Sequence, residues 1–563
     1  MPSFLRTQTK VLTSLLVGFL SFASTSAAHA ELPKKGPALG AASNFSQGAQ
    51  PNMLRLAHEF GVTLFRDGMS WRRAETRPGI VQFDNPRTDF PDTLQQLGAS
   101  TSIVLNWGNP LYDQGNTPYS ANGIAQFGRF AADVAARFSA LDSLEIGNEF
   151  NGTNFVKGPL SDMSPKERAR AYTTLLESAA KQVRANHPEL RIMGGATHSI
   201  PVGYIWEILD NGGADYMNSL AIHPYTTRAE HFPRQVAVLR QHPEAADLPL
   251  EITEFGHPDP ALAPGHMLRN YCQFAVSGVS HAIWYPLNPR GDGMVPLLER
   301  TGRITSAGQA WQLIRDRMES EDARAYDGDA FTYGCFFGDD TLVLWGAPRS
   351  VTVADRLQVV SGTNTPLEPP YELSMTHPLV IKSTGDAALP ESPVTLGPQS
   401  LLADSFHQFQ YLEREKDGFE RFALRQGKRV DLDAMPGQER RNEIWTPYLG
   451  RAQLWPLRIT PEALRPAIVK GEPVDIVHRY TAKETGLVNI AASFKPATRS
   501  EDGISVELRM NDEVLFSDSG KSGVQIDLAD ITMEAGEHLD FIIGPNGNAR
   551  GDGTRYRITI DAP

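Results

Sequence analysis

Two glutamates in this chain stand where a pair of carboxyl groups could cleave an acetal. Glu254 ends the apolar run Leu250-Glu251-Ile252-Thr253-Glu254 and is followed by Phe255-Gly256. Upstream, Leu144-Glu145-Ile146-Gly147-Asn148-Glu149-Phe150 has the same design. Each run reads as a buried strand that ends in a carboxylate, with several strand–helix units between the two. Carboxyl groups facing each other across a barrel mouth meet the needs of glycosidic cleavage. One acid protonates the leaving oxygen, and one carboxylate attacks or steers water. A lone strand-end glutamate is as often a buried ion-pair partner. Two of them, in Gly-Asn-Glu and Thr-Glu-Phe-Gly contexts, favour catalysis. Alternation along the strand puts Glu145, Gly147 and Glu149 on one side. Glu145 then lies deeper and is expected to be a structural carboxylate paired inside the barrel. Glu251, at the start of its strand, is likewise read as structural.

Other candidates follow from position at strand ends. Arg66 closes an apolar strand, which argues against a plain surface cation. Trp71 follows the same strand, and Asn106-Trp107 ends the next one. Each of these is expected to line the cleft. His223 could cap a strand through the backbone, but Pro224-Tyr225 after it favours a site-lining histidine. Trp284 reads either as core or as a stacking platform for the sugar beside the scissile bond, and the platform is preferred. Asn44, after the first strand, is evenly balanced between the site and structure.

The elements that must position these residues are legible between about residues 36 and 320. Candidate strands are 38–42, 62–66, 102–107, 143–148, 191–195, 219–223, 250–254 and 282–285. Their near-continuous apolar character fits parallel strands covered on both faces. Helical spacing separates them: Ile124, Phe127, Phe130, Ala131, Val134 and Phe138 share one face of 121–138. Ser164-Pro165 sets an N-cap with proline at the first position of a helix over 166–185. A further helix is expected over 267–279. Eight strand–helix units specify an α/β fold, the (β/α)8 TIM barrel. Doubly wound sheets also alternate in this way, but they rarely place lone carboxylates at so many strand ends.

After about residue 322 helical periodicity gives way to short alternating strands. The expected order is a signal peptide at 1–30, a catalytic barrel at 31–321, a β-sandwich with linker at 322–398 and a jelly-roll-like β domain at 399–563. The stretch 388–398 reads as the linker, and Asn511-Asp512 as a two-residue hairpin turn. Asn546 and Asp552 are read as turn chemistry rather than calcium ligands. Trp445, Tyr448 and Trp455 are either a sugar-stacking patch or core.

Arg6 and Lys10, the apolar stretch 11–23 and Ala28-His29-Ala30 together form an export signal with a small-x-small cleavage site. A mature chain beginning at Glu31, periplasmic or secreted, is expected. The formal charge of −13 argues against nucleic acid and anionic membranes as partners. It bears less on acidic polysaccharides, because a local basic cleft can exist on an acidic protein. There is no HExxH, CxxC or glycine-rich phosphate loop, and no metal or cofactor is expected. Of Cys272 and Cys335, two buried free thiols are favoured over a bridge.

Taken together, these motifs resemble the A clan of glycoside hydrolases, whose members are (β/α)8 retaining enzymes. Asn148-Glu149 and Glu254 match the clan's two catalytic positions. Arg66-Asp67-Gly68-Met69-Ser70-Trp71 is similar to the arginine-bearing segment of family 39 and its relatives. His223-Pro224-Tyr225 and Trp284-Tyr285 also match clan positions, and the resemblance spans residues 38–300. It implies Glu149 as general acid/base, Glu254 as nucleophile and net retention through a glycosyl-enzyme intermediate. It also implies that Arg66 and Tyr225 hold Glu254 and that Asn148 bonds the sugar 2-hydroxyl. In those roles Glu149 must carry a proton, which calls for desolvation or a nearby negative charge. The substrate class implied is an oligo- or polysaccharide, such as a bacterial exopolysaccharide or a plant wall glycan. Loops 108–120, 151–163 and 286–296 would shape its subsites. Transglycosylation by the same machinery, or silent glycan binding, remain as alternatives. Oligomeric state is open.

Overall fold

The computed structural model describes residues 33–49, 51–385, 387–412 and 418–563. The expected signal segment lies outside the described residues. Eight parallel strands close into a barrel: β1 (Ala38–Ala42), β2 (Leu64–Gly68), β3 (Ser100–Leu105), β4 (Leu141–Ile146), β5 (Arg191–His198), β6 (Ser219–His223), β7 (Leu250–Phe255) and β8 (Val279–Trp284). Each pairs with its sequence neighbours, and β1 with β8 through Ala38↔His281 to Ala41↔Trp284 completes the ring. The helices that follow the strands are α1 (Pro51–Phe60), α2 (Phe90–Gln96), α3 (Ala121–Arg137), α4 (Pro165–Arg184), α5 (Val202–Asp210), α6 (Phe232–Leu239), α7 (Ala263–Val276) and α8 (Ser306–Arg317).

Local chemistry sets these boundaries. The Ser120 hydroxyl accepts from the Gly123 N–H to start α3, which buries Phe127, Phe130, Ala131 and Val134. Helix α4 opens with a reciprocal capping box between Ser164 and Glu167, with Pro165 at the first position. Among the described residues no helix is long and apolar enough to cross a membrane.

Two strand ends fall short of the sequence reading where it matters for the site. Strands β3 and β4 stop at Leu105 and Ile146, so Asn106, Trp107, Asn148 and Glu149 stand on the rim rather than in the ladder. The turn at Gly147, with φ of +89°, takes the chain out of β4. A Cβ there would lie 2.8 Å from Cε2 of Tyr172, so the position needs glycine on two counts.

Beyond the barrel a five-stranded antiparallel sheet (323–383) faces a three-stranded one that includes Ser350–Val353. The stretch expected to be linker supplies a strand of the latter: Val394–Leu396 pairs with Ser350–Val353. Contrary to the expectation of free thiols, Cys272 of α7 and Cys335 of strand Thr332–Phe337 form a disulfide, with Cα atoms 5.8 Å apart. The five-stranded sheet packs on α7, which brings together two cysteines that their 63-residue separation gave no reason to pair. Residues 401–561 build two larger antiparallel sheets, of eight and seven strands. Phe494, Ile526, Ile558, Val506 and Phe541 are buried in this part of the core. The Asn511-Asp512 turn joins Met510 to its partner Glu513, with Asn511 at φ +53°.

Candidate active site

Arg66 rises from β2 into the barrel and is almost fully buried. Its Nε and Nη2 donate to the Glu145 carboxylate of β4 at 2.6 and 3.0 Å. Nη2 also donates to Asn148 Oδ1 at 3.0 Å, and Nη1 to Glu254 Oε1 at 2.5 Å. One guanidinium thereby ties the strand-four and strand-seven carboxylates together through its fixed fork. The Tyr225 hydroxyl donates to the other Glu254 oxygen at 3.0 Å.

Glu149 is set by its backbone. Its φ of +46° is a left-handed conformation that a glutamate adopts only when its surroundings enforce it. Three bonds hold this turn. Asn148 N–H donates to Asn106 Oδ1 at 2.9 Å, Gly147 N–H to Leu105 O at 2.8 Å, and Glu149 N–H to Ala196 O at 2.5 Å. Ala196 itself lies at φ +44° in a register shift of β5 against β6. The strain sits on two facing strand ends and aims the carboxyl group inward.

His223, fully buried at the end of β6, stands between the two glutamates. Nδ1 is 3.2 Å from Glu149 Oε1 and 3.9 Å from Glu254 Oε2, and Nε2 is 3.0 Å from Thr253 Oγ1. Thr253 in turn donates to Glu145 at 3.0 Å. Oxygens of Glu149 and Glu254 and a nitrogen of His223 all lie within 4.8 Å of one another.

Charge follows from this packing. Burial alone would strip the His223 proton, but Glu254, Glu145 and Glu149 outweigh it and hold the ring up at about 9. Burial opposes ionisation of Glu145, yet Arg66 and His223 bring it down to about 2. The same opposition operates at Glu254, where His223 and Arg66 prevail over burial and lower it. Arg66 is raised above its ordinary value by Glu145 and Glu254 against the cost of burial. Glu149, His223 and Glu254 are close enough to grip a cation. With His223 protonated and Arg66 on Glu254, however, two positive charges already occupy that space, so the donor set suits proton transfer better than metal binding.

The structure thus brings Arg66, Asn148, Glu149, His223, Tyr225 and Glu254 together. Trp107, 40% exposed, lines the cavity beside Arg66 and Glu254 with Tyr285 and Arg290. Asn106 is buried beneath, bonding the Asn148 backbone and donating to Phe155 O, so it positions the site rather than lining it. Two tryptophans expected at the cleft, Trp71 as lining and Trp284 as a platform, are core instead. Trp71 is 1% exposed, donates to Glu75 Oε2 at 2.7 Å and stacks on Tyr112 and Phe130. Trp284 is 0% exposed, donates to Val295 O at 3.0 Å and meets Phe255 edge-on. Trp71 is covered by Tyr112 and Phe130, and Trp284 by Phe255 and His266. Asn44 precedes a turn of helix at Phe45–Gln47, its Oδ1 buried without a partner. Glu251 lies at the opposite end of the barrel, bound by Arg191, Ser219 and His281.

Sequence reasoning overlooked Asp67, whose carboxylate accepts from Ser43, Ser46 and the Phe45 and Gly68 N–H groups and so fixes the β1 loop. An aspartate directly after Arg66, with serines after β1, was the available signal. Trp445, read from the sequence as either sugar-stacking patch or core, stands edge-on to His198 at 5.5 Å.

No family model matches the sequence, and no curated protein does. Solved structures do. A family 39 glycoside hydrolase from the gut symbiont Bacteroides cellulosilyticus is similar at 16% identity over 62% of this chain and 81% of that one, with a TM-score of 0.50. A family 39 β-xylosidase from Caulobacter crescentus matches at 15% identity over 63% of this chain and 98% of its own, TM-score 0.45. A monomeric β-xylosidase of the same organism spans 92% of this chain and 97% of its own at 13% identity, TM-score 0.44. The first likeness establishes a shared fold over 62% of this chain.

Proposed function

We propose that the chain is a retaining glycoside hydrolase that cleaves an oligo- or polysaccharide by double displacement. Glu254 attacks the anomeric carbon as Glu149 protonates the leaving oxygen. Glu149 then takes a proton from the water that releases the sugar from Glu254. One observation carries this reading: an oxygen of Glu149 and one of Glu254 lie within 4.8 Å of each other. Retaining enzymes hold their carboxyl groups about 5–5.5 Å apart, whereas inverting ones leave about 6.5–9.5 Å for water. The division of labour follows from the partners. Glu254 is kept ionised by Arg66 and His223, as a nucleophile requires. Glu149 lies across the cleft from Glu254 and is oriented by His223 Nδ1 at 3.2 Å. Asn148 gives its amide oxygen to Arg66, which leaves its amide nitrogen for the sugar 2-hydroxyl. With the export signal read in residues 1–30, the activity belongs in the periplasm or outside the cell.

Turnover of a panel of aryl glycosides tests the assignment. Glu254→Gln should abolish it. Glu149→Gln should lose about 10²–10⁴-fold on aglycones that need a proton. It should lose far less on dinitrophenyl glycosides, whose leaving group needs none, and added azide should restore turnover as glycosyl azide. Wild-type turnover in both variants would sink the assignment, and a product anomer opposite to the substrate's would exclude retention.

A further inference from the structure

The catalytic cavity, about 140 Å³, does not end at Trp107. Gln47, Trp107 and Phe155 also border an adjoining cavity of about 570 Å³. Its wall carries Arg72, Arg73, Arg87 and Lys157 and no aspartate or glutamate. Arg72 and Arg73 come from the turn after β2, Arg87 from the loop before α2 and Lys157 from the loop after β4, so three separate segments deliver charge of one sign to one space.

These cations are not short of potential partners. The chain has 66 acidic side chains against 53 Lys and Arg. Elsewhere on the barrel several exposed arginines are paired, as Arg137 is with Asp92 and Arg303 with Glu299. Among the described residues there, the two exposed arginines without an ion pair, Arg77 and Arg300, stand apart from this cavity. Among the described residues Arg72, Arg73, Arg87 and Lys157 have no ion pair. On the catalytic side Arg290 extends the pattern. Its guanidinium lies 5.1 Å over the Tyr285 ring and donates to Ser43 O, while its Nε is buried without a partner. Four unpaired cations around a concave wall repel one another. Keeping them there is favourable when a bound anion offsets that repulsion.

We infer that the cleft takes an anionic polysaccharide, with acid groups of the sugars beyond the scissile bond seated against Arg72, Arg73, Arg87 and Lys157. This rests on the glycosidase reading and gives it a substrate class. Exposed Trp107, where the two cavities meet, offers a flat apolar face to a sugar ring, and the cations on either side offer forks and point charges to its acid substituents. The shared chemistry is a carboxylate or a sulfate half-ester carried on a sugar.

The experiment uses the full chain bearing Glu254→Gln, so that binding is read without turnover. Calorimetric titration with alginate, polygalacturonate and glucuronoxylan is compared with their carboxyl-reduced forms, and heparin and carrageenan with their desulfated forms. At least one polyanion should bind at least about tenfold more tightly than its neutralised counterpart, as expected for charge-assisted hydrogen bonds. Which neutralisation matters separates carboxylate from sulfate. Adding Arg72→Gln with Arg73→Gln should remove about that tenfold preference, and Lys157→Gln, on another loop, should reduce it. Thermal midpoints confirm that each variant is folded. Equal binding of charged and neutralised polymers, no binding by any polyanion, or a preference indifferent to these substitutions would overturn the inference. Those outcomes leave the catalytic roles untouched, since the aryl glycoside assay alone tests Glu149 and Glu254.

Discussion

Nδ1 of His223 lies 3.2 Å from Glu149 and 3.9 Å from Glu254, and Nε2 reaches Thr253 above Glu145. Three carboxyl groups therefore share one imidazole, with Arg66 bound to two of them. The proton on His223 is retained up to a pH of about 9, against 6.5 for an ordinary histidine. A raised folded-state value stabilises the protein fully below the unfolded value and ceases to do so as pH climbs through the folded one. Stability should thus decline between pH 6.5 and 9, by about 3 kcal/mol for this group. Unfolding midpoints measured across that window should fall in the wild type. In His223→Gln they should start lower and stay nearly level. Parallel profiles for the two proteins would show that the ring is not the cationic link described. Glu145 and Glu254 act in the opposite sense: their contribution is present above pH 4.5 and is lost as pH falls below it. Tyr225, beside Glu254, is raised well above its usual value by burial and by that carboxylate, and so stays a donor throughout both windows.

At the level of elements, the proposed catalysis depends on where each strand stops. The ladder of β4 ends at Ile146, and Gly147 at φ +89° swings Asn148 and Glu149 onto the rim. Gly147→Ala would force a Cβ into a left-handed residue and against Tyr172, whose hydroxyl holds Ile146 O and Gly195 N–H. The expected cost is about 1–3 kcal/mol in stability. Displacing Glu149 by a fraction of an ångström should also reduce kcat by more than about tenfold, with KM little changed. Aryl glycoside kinetics beside thermal melts checks both, and a variant with wild-type kcat would mean that the turn does not aim Glu149. The barrel itself was readable in the sequence, because parallel strands covered on both faces must be apolar throughout and carboxylates at their ends stand out. The points of departure were not. Whether Asn106 lines the cleft or bonds the backbone of Asn148 depends on a two-residue difference in where β3 ends, at Leu105 rather than at 107. Trp71 and Trp284 misled for a related reason. Core and cleft both select tryptophan, and only depth below the rim, set by Tyr112 and Phe130 over one and by Val295 beside the other, tells them apart. Cys272 and Cys335 carried no local signal at all, since the packing that pairs them is between α7 and a sheet that follows the barrel.

At the scale of the whole molecule, the C-terminal sheets are fastened to the catalytic rim rather than strung from it. Gln438 and Asn151 exchange buried hydrogen bonds, Asn151 Nδ2 to Gln438 Oε1 and Gln438 Nε2 to Asn151 O, each at 2.9 Å. Gly203 N–H at the start of α5 donates to Gly437 O at 3.0 Å, and Arg228 pairs with Glu462. Arg234 of α6 donates to the carbonyls of Phe409 and His407. These contacts set the segment 436–447 on the loops after β4 and β5. There the half-buried Trp445 lies against Gly152, three residues from Glu149, where an added Cβ would be 3.2 Å from its ring. It also stands edge-on to His198, whose ring is 5.8 Å from that of Tyr225, the residue that holds Glu254. An aromatic face supplied to the cleft edge by the segment that precedes the C-terminal strands would contact sugars beyond the one being cleaved, not the cleaved sugar itself. Trp445→Ala should therefore raise KM for oligosaccharides about five- to tenfold, the scale of one lost aromatic contact. An aryl monosaccharide, which does not reach that far, should be turned over with unchanged kcat and KM. Equal losses on both substrates would mean that Trp445 only braces the His198 loop, and no loss on either would remove Trp445 from the binding cleft.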